Sequence, residues 1–235
     1  MTALLLLCQC GLALLALGFI FLYRLRKISF KRFAAGLALS LLACFVLGLI
    51  SLYALFFKED TGFEVYISSA VVLILGCMLA ALIIKINSLP RIHDITTNID
   101  DPPLFQHAVR QREVTDNSLA YNPANIHHQQ RAYPDIQPLY LSDDIDTVFK
   151  WALDAADVMG WMVYHSDNTQ YTFEAEELSA LCGFADDIIV LVQHSDSGNR
   201  IDLRSASRVG VSDLGANAKR IKRYLAILRD LSTTG

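Results

Sequence analysis

Three uncharged apolar runs near the start of the chain limit what it can fold into. They are Ala3 to Tyr23, Phe33 to Phe57 and Val65 to Ile84, of 21, 25 and 20 residues. A hydrocarbon core about 30 Å thick takes roughly 20 helical residues, so each run is long enough to span a bilayer. A secretory signal is the rival reading of the first run. It fails because no positive charge precedes the run and its basic residues follow instead. The sequence therefore predicts a transmembrane domain of three helices over residues 1–87. No ionisable Asp, Glu, Lys, Arg or His lies inside a run. Such residues mark ion paths and proton relays, so the runs read as an anchor and not as a channel or transporter.

The loops orient the anchor. Arg24, Arg26, Lys27, Lys31 and Arg32 separate the first two runs without an acid among them, whereas Lys58, Glu59, Asp60 and Glu64 separate the second and third. The positive-inside bias puts the first loop in the cytoplasm and the second outside, so the N-terminus is expected outside and everything after Lys85 inside. Span two carries Gly36, Ser40, Cys44 and Gly48 at four-residue spacing, one stripe of a helix. Small residues let helices approach closely in lipid, so the stripe serves either packing among the chain's own spans or a homo-oligomer or membrane partner.

The average composition, 53% hydrophobic with a mean hydropathy of +0.35, joins two unlike parts. Residues 1–87 carry seven basic and three acidic side chains, and the remainder carries thirteen basic and twenty-one acidic. This excludes a disordered polymer and leaves no basic patch for nucleic acid. Cys8, Cys10, Cys44 and Cys77 fall in the spans, so Cys182 has no disulfide partner in the soluble part.

All six prolines lie between Pro90 and Pro138. Residues 88–140 therefore read as a Pro-rich extended segment, and Phe105, Tyr121, Tyr133 and Tyr140 point to its docking on the fold, since disordered linkers are poor in aromatics. Residues 141–235 read as an α+β soluble domain. Asp143 and Asp144 can cap a helix with apolar positions at Ile145, Val148, Phe149, Ala152, Ala156 and Met159, which Gly160 ends. Four strands follow, over 161–165, 171–176, 188–194 and 200–208, and then a last helix from near Asp213 or Asn217. The expected fold is a four-stranded antiparallel sheet with two main helices.

Several strings of this part resemble one family. They are Arg91-Ile-His-Asp-Ile-Thr-Thr-Asn98, Asp101-Pro-Pro-Leu-Phe105, Tyr133-Pro-Asp-Ile-Gln-Pro138, Gly160-Trp161, Glu174-Ala175 and Gly183-Phe-Ala-Asp-Asp187. The longest is Asp202-Leu-Arg-Ser-Ala-Ser-Arg-Val-Gly-Val-Ser-Asp-Leu-Gly-Ala-Asn217, followed by Arg220-Ile221. Together they resemble the bacterial and plastid domain-of-unknown-function 1499 family over residues 91–230. The resemblance implies a common fold; the spans lie outside the matched region and are read on their own, as a multi-pass anchor in a bacterial inner (plasma) membrane. The resemblance brings no catalytic residue, because that family is uncharacterised.

The candidate polar cluster is Glu174, Asp187, Asp202, Arg204 and Arg208. In a meander the strands bearing Glu174 and Arg204 sit two places apart, so these two could meet over the intervening strand. One reading is a structural ion-pair network, with Arg204 the buried partner of Glu174. The other is an arginine-lined pocket for a carboxylate or phosphate, which guanidinium forks match. Gly210-Val-Ser-Asp-Leu-Gly215 lacks the Gly-Lys-Ser/Thr ending of a phosphate loop, and Asp213 there fits a helix cap. His93-Asp94 and His127-His128 lack metal-ligand spacing, and Ser205, Ser207 and Cys182 lack the elbow of a nucleophile beside His165 or His194. No cofactor and no metal are expected. The leading functional expectation is a non-enzymatic membrane protein whose soluble domain binds a small anion or a protein partner. The alternative is a membrane-bound, hydrolase-like enzyme using Glu174, Asp187 and Arg204.

Overall fold

A computed structural model describes residues 2–57 and 63–234, so Lys58, Glu59 and Asp60 of the second loop lie outside the described residues. The chain divides into two compact units, Met1–Ser88 (with Ala180–Gly183) and the remainder.

In the first unit three helices, α1 (Thr2–Arg24), α2 (Phe30–Phe57) and α3 (Phe63–Ser88), pack on one another. The expectation of three spans is met in part. Leu7–Arg24 and Phe30–Ala54 are long and apolar enough to cross a membrane, but in α3 only the shorter apolar stretch Ser69–Met78 qualifies among the described residues. The pair is compatible with a membrane anchor. Along α2 the buried positions Phe33, Gly36, Ser40, Cys44, Gly48, Ser51 and Ala54 form one stripe. Small side chains are needed there because α1 comes close. A Cβ on Gly36 would stand 2.4 Å from the Phe19 ring, and Cys44 Sγ lies 3.7 Å from the Gln9 carbonyl.

The second unit is α+β. After a short helix α4 (Ile126–Ala132), helix α5 (Ile145–Met159) starts at Asp144, whose carboxylate accepts from the Asp146 N–H, and stops at Gly160, which takes the left-handed conformation (φ 73°) that favours glycine. Strands β3 (Met162–Asp167), β4 (Thr172–Leu178), β5 (Ala185–Ser195) and β6 (Gly198–Ser207) form the expected antiparallel meander. The sheet has six strands, not four. Strands β1 (Asp94–Thr96) and β2 (Leu139–Leu141) both pair with β6, at its C-terminal and N-terminal halves respectively. Both come from the Pro-rich segment, and three residues are too few to show a period-2 signal.

Period 2 gives the sheet two different faces. Ile95, Phe173, Ala175, Ile188, Val190, Val192, Ile201 and Leu203 belong to the core cluster shared with α5 and α6 (Ala216–Thr234). Within that cluster the Tyr224 hydroxyl donates to the Ala152 carbonyl at 2.8 Å, and the Trp161 and Tyr224 rings stack at 4.8 Å. The alternate residues turn the other way and include most of the charge.

Candidate functional site

The alternation of β4, β5 and β6 brings Glu174, Ile189 and Arg204 into one row across the sheet, and Glu176, Asp187 and Ala206 into the next. The Pro-rich segment between Thr97 and Tyr121 lies over this face. Its side chains and backbone complete a network that is almost wholly removed from water.

Arg204 is fully buried, and its partner is Asp94 of β1, not Glu174. Nε donates to Asp94 Oδ1 at 3.0 Å and Nη2 to Oδ2 at 2.7 Å, a bidentate fork. Nη1 and Nη2 also donate to the carbonyls of Pro103 and Leu119, at 3.0 and 2.8 Å. Its guanidinium lies 5.1 Å from the centre of the Phe105 ring and 5.3 Å from that of Tyr121, within cation–π range. Asp94 was missed because it stands about 110 residues from Arg204. No local pattern reports a pairing at that separation.

Asp187 accepts from two arginines. Arg112 Nε reaches Oδ2 at 2.7 Å, and Arg208 Nη2 reaches Oδ1 at 2.6 Å while also pairing with Glu176 at 2.6 Å. Among these groups three carboxylates (Asp94, Glu176, Asp187) meet three guanidiniums (Arg112, Arg204, Arg208). Glu174 is the carboxylate that no arginine reaches among the described residues. Its charge is balanced by three successive backbone N–H groups, those of Gln106, His107 and Ala108, at 2.7–3.1 Å. The Tyr164 hydroxyl approaches Glu174 Oε2 at 3.4 Å, and burial, then the charges of Asp187 and Glu174, push that phenol far above its ordinary range.

Asp202 stands apart from these groups. It pairs with Arg200 at 2.8 Å and accepts from Thr97 and Asn98 at 3.4 and 3.3 Å. Burial raises its carboxyl above the usual range against the pull of Arg200. The five residues singled out in the sequence thus share one face but make four separate sets of contacts.

The helix-facing side of the sheet holds a second polar set. Arg220 of α6 pairs with Glu177 and with Asp186, the latter at 2.6 Å, and reaches Ser205 Oγ at 2.9 Å. Ser205 Oγ donates to Asn217, which in turn donates to Ser207 Oγ. Both serines face α6, whereas His165 pairs in register with Glu174 on the opposite face, so the sheet itself separates them. Asp213 caps α6 by accepting from the N–H groups of Gly215 and Asn217 at 2.9 and 2.7 Å. No group of His, Cys, Asp and Glu that could hold a metal occurs among the described residues.

Beside the ionic network the polar face opens into a cleft of about 620 Å³, lined by Pro103, Leu104, Gln106, His107, His165 and Asp167 on one side and by Gln170, Thr172, Glu174, Ile189, Leu191 and Gln193 on the other. The His107 and His165 rings stack with centroids 3.5 Å apart. The stack ties the overlying segment to edge strand β3. No Lys or Arg lines the cleft among the described residues. Arg200, which borders it, is spent on Asp202 and on Gln193 Oε1. Sequence reasoning gave no sign of this cleft, because its walls come from a loop and three strands.

A family model described as "Protein of unknown function (DUF1499)" matches residues 94–228, the stretch that contains the whole sheet, the overlying segment and most of α6. No curated protein matches the chain.

Proposed function

The chain belongs to the DUF1499 family, and we propose that it is a membrane-anchored binding module whose cleft takes a small hydrogen-bonding molecule, neutral or cationic. The observation that carries this reading is the cleft itself, roomy and open beside a network whose charges are already paired. Pockets of a few hundred Å³ lined by apolar walls and a few polar groups are the usual form of small-molecule sites. The apolar walls here are Pro103, Leu104, Ile189 and Leu191, and the hydrogen-bonding groups are Gln106, Gln170, Gln193, Thr172 and the two imidazoles. Asp167 adds a carboxylate to a lining that holds no Lys or Arg among the described residues. That charge balance supports a neutral or cationic ligand over the anion expected from the sequence. Arg204 and Arg208 do not offer the anion a site, because their donors are engaged inside the protein.

The same saturation counts against the hydrolase alternative. Glu174, held by three N–H groups, and Asp187, held by two guanidiniums, would each have to give up those bonds to reach a substrate's proton.

The anchor is read as three spans of a bacterial inner membrane, an odd number that returns the chain to the cytoplasm with the binding unit. The five basic residues between Arg24 and Arg32 support that orientation. A reporter that is active only when exported, fused after Gly235, is expected to stay silent, and strong activity overturns the orientation. For the ligand, the full chain in nanodiscs is exposed to a panel of small amines, amides and carboxylates and examined by saturation-transfer NMR. Binding of amines or amides that disappears in a cleft-filling Gln193→Trp variant is expected. Binding of carboxylates alone, or binding that survives the filled cleft, refutes the proposal.

A further inference from the structure

Helix α6 buries Ala218, Ile221, Tyr224 and Leu228 against the sheet and turns Lys219, Lys222, Arg223 and Arg229 to solvent. These four cations form a positive face on a unit whose sequence is acidic overall. Lys222 pairs with Asp135 at 2.7 Å on the surface, and Asp230 follows Arg229 in the sequence. Arg220 of the same helix points inward to Asp186 and Glu177, so the exposed cations are not needed for the internal network.

The N-terminal end of α6 lies where the chain enters this unit. Ser212 Oγ donates to the Pro90 carbonyl at 3.2 Å, the Asp213 N–H donates to the Ile92 carbonyl at 3.3 Å, and a Cβ on Gly215 would touch the Leu89 side chain at 3.8 Å. Leu89 follows directly on α3, which ends at Ser88. The loop leading into α6 also carries Val211, 72% exposed, and Arg91 is exposed nearby in sequence to the entry point. The start of the basic helix, the exposed Val211 and the entry of the chain from α3 thus lie close together, and the cations follow along the helix over roughly 15 Å from Lys219 to Arg229.

We infer that this face of α6, with Lys219, Lys222, Arg223 and Arg229, docks on the anionic headgroups of the bilayer that holds the anchor. The inference rests on the anchor reading above but not on the cleft or its ligand. Charge complementarity selects the partner. Juxtamembrane basic residues are drawn to anionic lipid, and each contributes about a fivefold gain in surface association within a Debye length. Val211 adds a small apolar contact of the kind that interfacial segments use.

The test uses the full chain in nanodiscs of phosphatidylcholine, alone or with phosphatidylglycerol. Lysine acetylation by an uncharged reagent is followed by mass spectrometry, with exposed Lys150 of α5 as the internal reference. In the anionic discs Lys219 and Lys222 are expected to react about fivefold more slowly relative to Lys150. The ratio should return to the phosphatidylcholine value in about 1 M salt, where screening is nearly complete, and in the double variant Arg223→Glu/Arg229→Glu. Equal ratios in the two kinds of disc overturn the inference, as does slowing that persists in salt or in the double variant. Co-elution of the chain with the disc is measured first. A chain that does not co-elute refutes the anchor reading, whereas a chain that co-elutes with unprotected lysines refutes only the docking.

Discussion

Arg204→Ala removes the group on which the covered face of the sheet converges. The substitution leaves Asp94, 2% exposed, as a buried carboxylate without its cation, takes donors from the Pro103 and Leu119 carbonyls, and empties the space between the Phe105 and Tyr121 rings. Breaking one partner of a buried pair costs roughly 3–5 kcal/mol. A domain of this size has about 5–15 kcal/mol in all. With a urea slope of about 2 kcal/mol per molar, the unfolding midpoint should fall by about 2 M. The chain's two tryptophans, Trp151 and Trp161, both lie in the α+β unit, so their fluorescence reports that unit in the intact protein. The pairing is tested by cycles. Asp94→Ala should lose nearly as much stability alone, and Arg204→Ala/Asp94→Ala should cost little more than either single change, because the second removes an ion already left unpaired. Glu174→Gln, by contrast, should add to Arg204→Ala without coupling, since the two do not touch. A midpoint within about 0.3 M of wild type for Arg204→Ala, or strong coupling to Glu174 with none to Asp94, refutes the reasoning.

Asp202→Asn probes a carboxyl that burial raises above the usual range. The folded state then binds a proton more tightly than the unfolded chain, so wild-type stability from this group falls as pH rises through that window; the variant should gain relative to wild type between acid and neutral pH in urea titrations, and a pH-independent difference refutes the shift. Gly36→Ala should cost about 1–3 kcal/mol through overpacking, because its Cβ would stand 2.4 Å from the Phe19 ring, while Gly11→Ala, with nothing within 4 Å, should leave detergent melting unchanged. Gly198→Ala should destabilise more than Gly160→Ala in tryptophan-monitored unfolding. Both glycines have positive φ, but only at Gly198 would the Cβ also strike a backbone oxygen, that of Leu141 at 2.6 Å. Equal effects at the two glycines count against this.

What the sequence by itself determined is whatever depends on neighbours along the chain. The apolar runs of α1 and α2 announce themselves because a membrane span needs length and lack of charge, both local properties. Helix α5 was legible from its three- and four-residue spacing between Asp144 and Gly160, and the meander from runs of alternation long enough to carry a period. The same alternation put Asp202 and Arg204 on one face of β6. The tertiary structure decided the rest. Strands β1 and β2 exist only because β6 offers an edge, and three residues carry no pattern of their own. Arg204 could be read as a buried cation but not matched to Asp94, and Glu174 could not be matched to the N–H groups of Gln106, His107 and Ala108. Hydrogen bonds and ion pairs act over a few ångströms in space, whereas the pairing residues lie about 66 to 110 positions apart in the chain. Whether five charges make an open anion pocket or a closed network is settled by where a proline-rich segment comes to rest. That depends on the shape of the sheet beneath it.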